Sequence, residues 1–500
     1  MSVETMIPLN SKAAKFVSTP KQLFINGKFV DAVSGKRFET LNPATGEVIT
    51  TIAEGDKEDI DRAVAAARKA FEEGPWASMK PNERARLLLK FADLVEENIE
   101  ELAHIDTLEF GQPLATTTAF ASSVPELFRY YAGWATKVTG ETIPVSTPGT
   151  IFNYTRREPL GVCAGISPWN APVSVAAMKL AAPLSVGNTV VLKPAEQTPL
   201  SSLRLAELFV EAGFPDGVVN IVPGFGPTAG AALVNHPDVD KVAFTGSTVV
   251  GKEIMRSAAG NLKKVTLELG GKSPHIICAD ADYEKALANA AFGILFNSGQ
   301  VCFAGTRLFV EKKIYDNFVS DLINYTKKYK LGSGFDATTT LGPLISEKQK
   351  NRVLNYLDIG QQEGAEMLVG GNAVSSDLAN GYFVKPTVLA NVQNTMTVAQ
   401  EEIFGPVICA MPFDDLDEVV KTANETYYGL GAGICTTDLR KAHKLAHAIK
   451  SGNVWVNTYH LMDPASPMGG YKQSGIGREN GAASVLDTYT QIKSVWVDLD

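Results

Sequence analysis

The strongest constraint on the fold is a regular alternation of short β-rich runs and longer helical runs that begins at Gly161. The spacing predicts strands at Gly161–Ile166, Thr189–Leu192, Val218–Val222, Lys241–Phe244 and Val265–Leu269. Helices are expected between them at Val173–Val186, Ser201–Ala212, Thr228–Asn235 and Val249–Ala259. Such units build an open parallel sheet flanked by helices, with its ligand site at the carboxyl ends of the strands. A second series follows, with strands at His275–Cys278, Arg307–Val310, Val407–Phe413, Ala432–Cys435 and Val454–Asn457. Its helices are expected at Asp282–Phe296, Tyr315–Tyr329, Ser346–Glu363, Leu416–Glu425 and Arg440–Ile449. Five hundred residues exceed one core, so this reads as a second α/β domain, with Gly270-Gly271 as a boundary able to act as a hinge.

The first 160 residues are less regular. Residues 1–20 read as a loose arm, and Leu23–Val30 as a hairpin turning at Asn26-Gly27. Asn42-Pro43 and Thr45-Gly46 punctuate a second pair of short strands. Helical spacing is expected over Asp56–Glu73, over one long run Asn82–Phe110 that stops at Gly111, and over Glu126–Lys137. Gly140–Arg157 and Gln491–Leu499 read as extended segments. Edge strands are normally covered, so these segments are expected to pair with each other or with a second subunit.

A net charge of -9 and the lack of a basic run argue against a nucleic-acid surface. Five scattered cysteines give neither a disulfide framework nor paired zinc spacing, which suits a reducing compartment. Met1–Pro20 has no signal-peptide core, and the apolar stretch Ala171–Val186 is broken by Lys179 and Pro183. A cytoplasmic protein without membrane attachment is expected.

Four of the cysteines, Cys163, Cys278, Cys409 and Cys435, lie in apolar, strand-like runs. Cys302 instead sits on the polar turn Asn297–Arg307, where exposure and a helix end favour the nucleophilic thiolate. Phe244–Gly251 puts glycines and hydroxyls between a strand and a helix, either as an anion cradle or as a structural turn. Lys193 and Glu196 follow another strand, as ribose ligands or as a solvated loop; a carboxylate there would repel a 2′-phosphate and favour NAD over NADP. Asn170, in Ser167-Pro-Trp-Asn170, can donate to an oxyanion, cap the next helix, or both. Glu268 lies among apolar residues, as a general base of raised pKa or as a carboxylate satisfied by the backbone amides that follow it. His443 and His447 stand four apart on an expected helix; no third ligand follows, and two surface histidines are preferred to a metal site.

Taken together and in order, these motifs resemble the aldehyde dehydrogenase superfamily. The matching stretches are Pro168-Trp-Asn170, Lys193–Pro199, Phe244–Thr248, Leu267–Ser273, Gly299–Cys302, Glu401–Pro406 and Gly469–Glu479, and they span nearly the whole chain. The resemblance implies an α/β fold of two open domains plus a small β oligomerisation element. Residues 1–139 and 160–270 would form the NAD-binding domain and 271–483 the catalytic domain. Residues 140–159 and 484–500 would supply the oligomerisation element of a homodimer or homotetramer. It implies that Cys302 attacks the aldehyde, that Asn170 and the Cys302 amide hold the oxyanion, and that Lys179 assists proton movement. It further implies that Glu268 activates the water that hydrolyses a thioester. Members that pass the acyl group to coenzyme A generally lack that glutamate, so hydrolysis is favoured. Ile166, Ser167, Trp169, Lys193, Glu196, Gly226, Gly246, Ser247, Glu402 and Phe404 would bind NAD.

By position, the resemblance places Ala171, Val175, Met178, Phe296, Val301, Phe303, His460, Met462 and Met468 by the substrate tunnel. Many relatives have phenylalanine where Met468 stands. The set is apolar, rich in sulfur and rings, and lacks an arginine for a second carboxylate. An aromatic or medium-chain aliphatic aldehyde is therefore expected. The alternatives are a broad-range enzyme, a betaine-type enzyme with Phe296, Phe303 and Tyr459 as its aromatic cage, and a non-catalytic relative.

Overall fold

The computed structural model describes residues 5–371, 374 and 376–500. The strand at the middle of the first domain is Val162–Ile166. Its five residues are all buried, as expected of a strand covered on both faces. Thr189–Lys193 and Val219–Ile221 continue the sheet on one side, and Lys241–Thr245 and Lys264–Glu268 on the other, all parallel. The sheet is not wholly parallel, because antiparallel strands close both edges. Leu23–Ile25 and Lys28–Val30 form the expected hairpin at one edge, with Asn26 and Gly27 both at positive φ. Gly475–Ile476, from far along the chain, closes the other edge against Lys264–Glu268.

The second sheet has seven strands, in the order Glu366–Val369, Thr387–Ala390, Val407–Phe413, Arg307–Glu311, Pro274–Ile277, Gly431–Cys435 and Asn453–Val456. The first two were not foreseen, being short and set between loops. A small antiparallel sheet pairs Thr490–Asp498 with Ile151–Pro159 over nine residue pairs and adds Thr142–Ile143, which is the pairing of the two extended segments foreseen above. It leaves Phe152, Ile492 and Trp496 exposed. Among the described residues no helix is long and apolar enough to cross a membrane.

Two helix expectations need correction. The single run Asn82–Phe110 is two helices, Pro81–Glu96 and Ile99–Phe110. Asn98 breaks it: its side-chain amide donates to the Leu94 carbonyl, an alternative to continued helix that asparagine offers. The third helix is longer than expected, Leu114–Trp134, and contains Pro125. Packing against the helices Pro81–Glu96, Ile99–Phe110 and Pro172–Ser185 overrides the poor propensity of its Thr- and Ser-rich first half.

The Ile99–Phe110 helix also carries two fully buried carboxyls that fix the helices leaving the sheet. Asp106 accepts from the Val173 N–H (3.2 Å), in the first turn of Pro172–Ser185. Glu109 accepts from the Leu200 N–H (3.0 and 3.1 Å) and the Ser201 N–H (3.4 Å), at the start of Leu200–Ala212. Each satisfies amide donors that a helix start leaves open. Burial raises both carboxyls, Asp106 to about 7, against the hydrogen bonds from Ser201 and Val173. A folded-state value above the unfolded one means that this contribution to stability is full below about pH 4 and is lost as pH rises through about 7. Thermal unfolding of Asp106→Asn against the native chain from pH 5 to 8 tests this. The native chain should lose its melting-temperature advantage as pH rises; a constant difference would refute a titrating Asp106.

Candidate active site

Cys302 lies on a tight turn, closed by the Ala304 N–H donating to the Val301 carbonyl (3.0 Å). The turn follows the helix Tyr283–Leu295 and a short 3-10 segment, Phe296–Gly299, in which Asn297 and Ser298 both adopt positive φ. Backbone strain of this kind persists only where neighbours hold it. Here the Asn297 amide donates to the carbonyls of Asn170 (2.8 Å) and Gln300 (3.3 Å), and the Ser298 hydroxyl to the Gly342 carbonyl (2.8 Å). The Asn170 side chain donates to the Gln300 carbonyl (2.9 Å), two residues before the cysteine. Asn170 does not cap its helix: the cap position is Ala171, with no side-chain bond.

Cys302 is less exposed than its polar turn suggests; it is partly buried, and the other four cysteines are fully so. The surroundings of this thiol also disfavour a resting thiolate. Burial drives the thiol well above its ordinary value, and the Glu402 and Glu268 carboxyls drive it further. The N–H groups of Cys302 and Phe303 pull the other way.

Glu268 ends the Lys264–Glu268 strand and is almost fully buried. The backbone amides that follow do not satisfy it. Leu269 N–H donates to the Ser474 carbonyl and Gly271 N–H to Glu402, so both Glu268 oxygens lack a partner. An unpaired buried polar group costs roughly 1–3 kcal/mol, the kind of expense found at functional sites. Burial raises this carboxyl most, then Glu479; Lys179 and Arg478 oppose them. Lys179 and Glu479 form a buried ion pair linking the helix Pro172–Ser185 to the C-terminal glycine-rich motif. Glu479 was not singled out from the sequence; its place in the Gly469–Glu479 stretch was the available signal.

Neither Gly270 nor Gly271 has open space for a side chain. A Cβ on Gly270 would lie 2.4 Å from a Glu402 oxygen, and one on Gly271 2.3 Å from the Cys302 carbonyl. The Glu402 carboxylate accepts from Gly271 N–H (3.1 Å), and burial raises it to about 7. The Phe404 ring meets Trp169 edge-on at 5.3 Å.

The first sheet reverses its strand order between Val162–Ile166 and Lys241–Thr245, the switch point where such sheets bind ligands. Ile166 pairs there with both Lys193 and Phe244, and Ser167 N–H donates to the Lys193 carbonyl (3.2 Å). Lys193 and Glu196 pair at 3.1 Å. Beyond Phe244, Gly246 has no room for a Cβ, which would lie 2.4 Å from the Phe244 ring. Ser247 caps the helix Thr248–Ala258 through the Val250 N–H (3.4 Å). Gly226, exposed, opens the turn Gly226–Gly230 with free space around it, so nothing steric demands glycine there.

On the other side of Cys302, Phe303, Met462 and Met468 line a cavity of about 340 Å³, together with Trp455, Leu461, Asp463 and Ser466. Phe296, Val301, Phe303, Met468 and Cys302 share one apolar cluster, joined by Leu430 and Trp455. His460 meets Phe292 and Tyr459 edge-on and Phe296 and Phe303 at a tilt, at 4.8–5.3 Å between rings. Burial lowers it to about 4, so the ring is neutral. Ala171, Val175 and Met178 are partly buried on or beside Pro172–Ser185 and do not line the cavity; Met178 packs on the first domain's core. A larger groove of about 780 Å³ between Tyr315–Thr326 and Leu416–Asn424 touches none of these residues. His443 and His447 lie exposed, 6.0 Å apart.

An α/β sheet with a switch point, and beside it a partly buried thiol with two carboxyls near it, are the marks of an α/β enzyme. Residues 29–495 match the aldehyde dehydrogenase family, and the chain belongs to it. It is 52% identical over 479 residues to the mitochondrial aldehyde dehydrogenase of Homo sapiens, covering 95% of this chain and 92% of that one. An NAD+ complex of aldehyde dehydrogenase from Bacillus cereus superposes with a TM-score of 0.97 at 53% identity, over 99% of this chain and 100% of that chain. Betaine aldehyde dehydrogenase from Staphylococcus aureus, also with NAD+, gives 0.96 at 40% identity, over 98% and 97%.

A thiol raised by two carboxyls alkylates slowly near neutrality. Its thiolate fraction, and so its rate, should climb about tenfold per pH unit while pH stays below its pKa. Iodoacetamide labelling of Cys302 from pH 6 to 9, read by peptide mass, should show that slope. Glu402→Gln should label faster at each pH. A plateau by pH 7 would contradict the raised thiol.

Proposed function

We propose that this protein oxidises an aldehyde to a carboxylic acid, with NAD as the acceptor and Cys302 as the nucleophile. The observation that carries the reading is the partly buried thiol with the Glu268 and Glu402 carboxyls near it and the Asn170 amide braced against its turn. One Asn170 N–H is held by Gln300, and the other is available, with the Cys302 N–H, to an oxyanion on the attacked carbon. NAD, when bound, supplies the acceptor for the hydride. Ile166, Ser167, Trp169, Gly226, Gly246 and Ser247 would hold it at the switch point, with Lys193 and Glu196 on the adenosine ribose. Glu402 and Phe404 would face the nicotinamide riboside.

Glu268, with both oxygens free, takes a proton from the water that hydrolyses the thioester on Cys302. Lys179, paired with Glu479, assists that proton's departure. The apolar cluster of Phe296, Val301, Phe303, Trp455 and Met468 around Cys302 favours an aromatic or medium-chain aldehyde, with a broad-range or betaine-type profile as the second reading, suggested by the S. aureus relative. The exposed Phe152, Ile492 and Trp496 suit burial in a homodimer or homotetramer, and the five free thiols suit the cytoplasm.

Reduced-nicotinamide formation with NAD and no coenzyme A, across acetaldehyde, hexanal, benzaldehyde, phenylacetaldehyde, betaine aldehyde and succinic semialdehyde, tests the reading. A kcat/KM maximum at an arylaldehyde is expected, and a preference for NADP would overturn the Glu196 argument. Cys302→Ser should abolish turnover. Glu479→Gln removes a charge that raises Glu268, so the acid limb of the kcat profile should move to lower pH. An unmoved limb would separate Glu479 from the base.

A further inference from the structure

We infer that Tyr459 is a positioning residue for the nucleophile, acting through the Phe303 carbonyl; this rests on Cys302 being the nucleophile. Its hydroxyl donates to the Phe303 carbonyl at 2.9 Å, in a buried site. Phe303 is the residue after Cys302 and the third of the turn's four residues, so this bond fixes the turn on its C-terminal side. Asn170 and Asn297 hold the other side through the Gln300 carbonyl, and Gly271 sits against the Cys302 carbonyl. Tyr459 supplies the side-chain bond to the turn itself on that flank, where the backbone is next held at Gly305.

The rest of the ring is fitted for this task. It occupies a slot made by three glycines, one on a helix, one on a strand and one in the segment after the turn. A Cβ on Gly293 would lie 3.2 Å from the ring, one on Gly433 2.4 Å from it, and one on Gly305 3.0 Å from the hydroxyl. Gly305 N–H in turn donates to the Gly293 carbonyl (3.0 Å), tying the segment after the turn to the helix before it. His275 backs the ring at 4.9 Å and is fully buried. The tyrosine therefore has one position available, and its hydroxyl one acceptor in hand. A hydrophobic filler would need no such hydroxyl.

Tyr459→Phe keeps the ring and removes the bond. In the full-length enzyme with saturating NAD, kcat should fall about 10- to 100-fold, the scale of a nucleophile displaced by about an ångström. KM for NAD should stay within twofold, and Cys302 labelling by iodoacetamide should change by more than threefold at fixed pH. Gly305→Ala gives an independent displacement, because its methyl would press on the hydroxyl; the same pattern is expected. Unchanged kcat and labelling in both variants, with only a lower melting temperature, would reduce Tyr459 to packing. Cys302→Ser is run alongside. If it retains turnover the nucleophile reading fails, whereas an inactive Cys302→Ser beside a fully active Tyr459→Phe defeats only the present inference.

Discussion

Everything at the site depends on how closely the backbone can approach itself between the two sheets. Five residues separate Glu268, at the end of the first sheet, from Pro274, at the start of the second. Within them, Gly270 and Gly271 leave the space that the Glu402 carboxylate and the Cys302 carbonyl occupy. A methyl group at Gly271 would overlap the Cys302 carbonyl, a clash relieved by moving the backbone, and one at Gly270 would push the Glu402 carboxyl from its place. The crossing therefore sets the distance between domains, and that distance puts three acidic or thiol groups into one poorly solvated space.

The electrostatics follow from that confinement. Burial comes first among the influences on Cys302, Glu268 and Glu402, and each of the three is raised. The Lys179–Glu479 pair contributes a cation that lowers Glu268 and an anion that raises it. The thiol thus sits beside carboxyls whose proton affinity burial has raised, instead of beside a fixed ion pair. Groups poised this way are suited to proton transfer in both directions at ordinary pH.

Much of this was legible in the sequence, for reasons that differ by residue. Periodicity located nearly every strand of the first sheet because each is short, buried on both faces and bounded by turn residues. Cys302 stood out because its four companions lie in apolar runs, and Glu268 because a carboxylate is unusual among leucines. What could not be read were relations across the chain. The Lys179–Glu479 pair spans 300 residues, and although Lys179 interrupts an apolar stretch, nothing in its own segment names its partner. The Tyr459 hydroxyl bond spans 156 residues and looked like one aromatic among several. The break at Asn98 was local, but it turned on a side-chain bond that competes with helix, and periodicity carries no sign of it.

The strand Gly475–Ile476 has a consequence for the order in which the molecule is made. It closes an edge of the sheet whose other strands lie within the first 268 residues, and Glu479 follows three residues later. During synthesis the N-terminal domain emerges with that edge bare and with Lys179 lacking its carboxylate. Both are supplied only when the last thirty residues arrive. Contacts of such long separation form late. The growing chain is therefore held, until its final stretch, as an unfinished domain with an exposed sheet edge, which is the period when it is most open to pairing with the wrong strand.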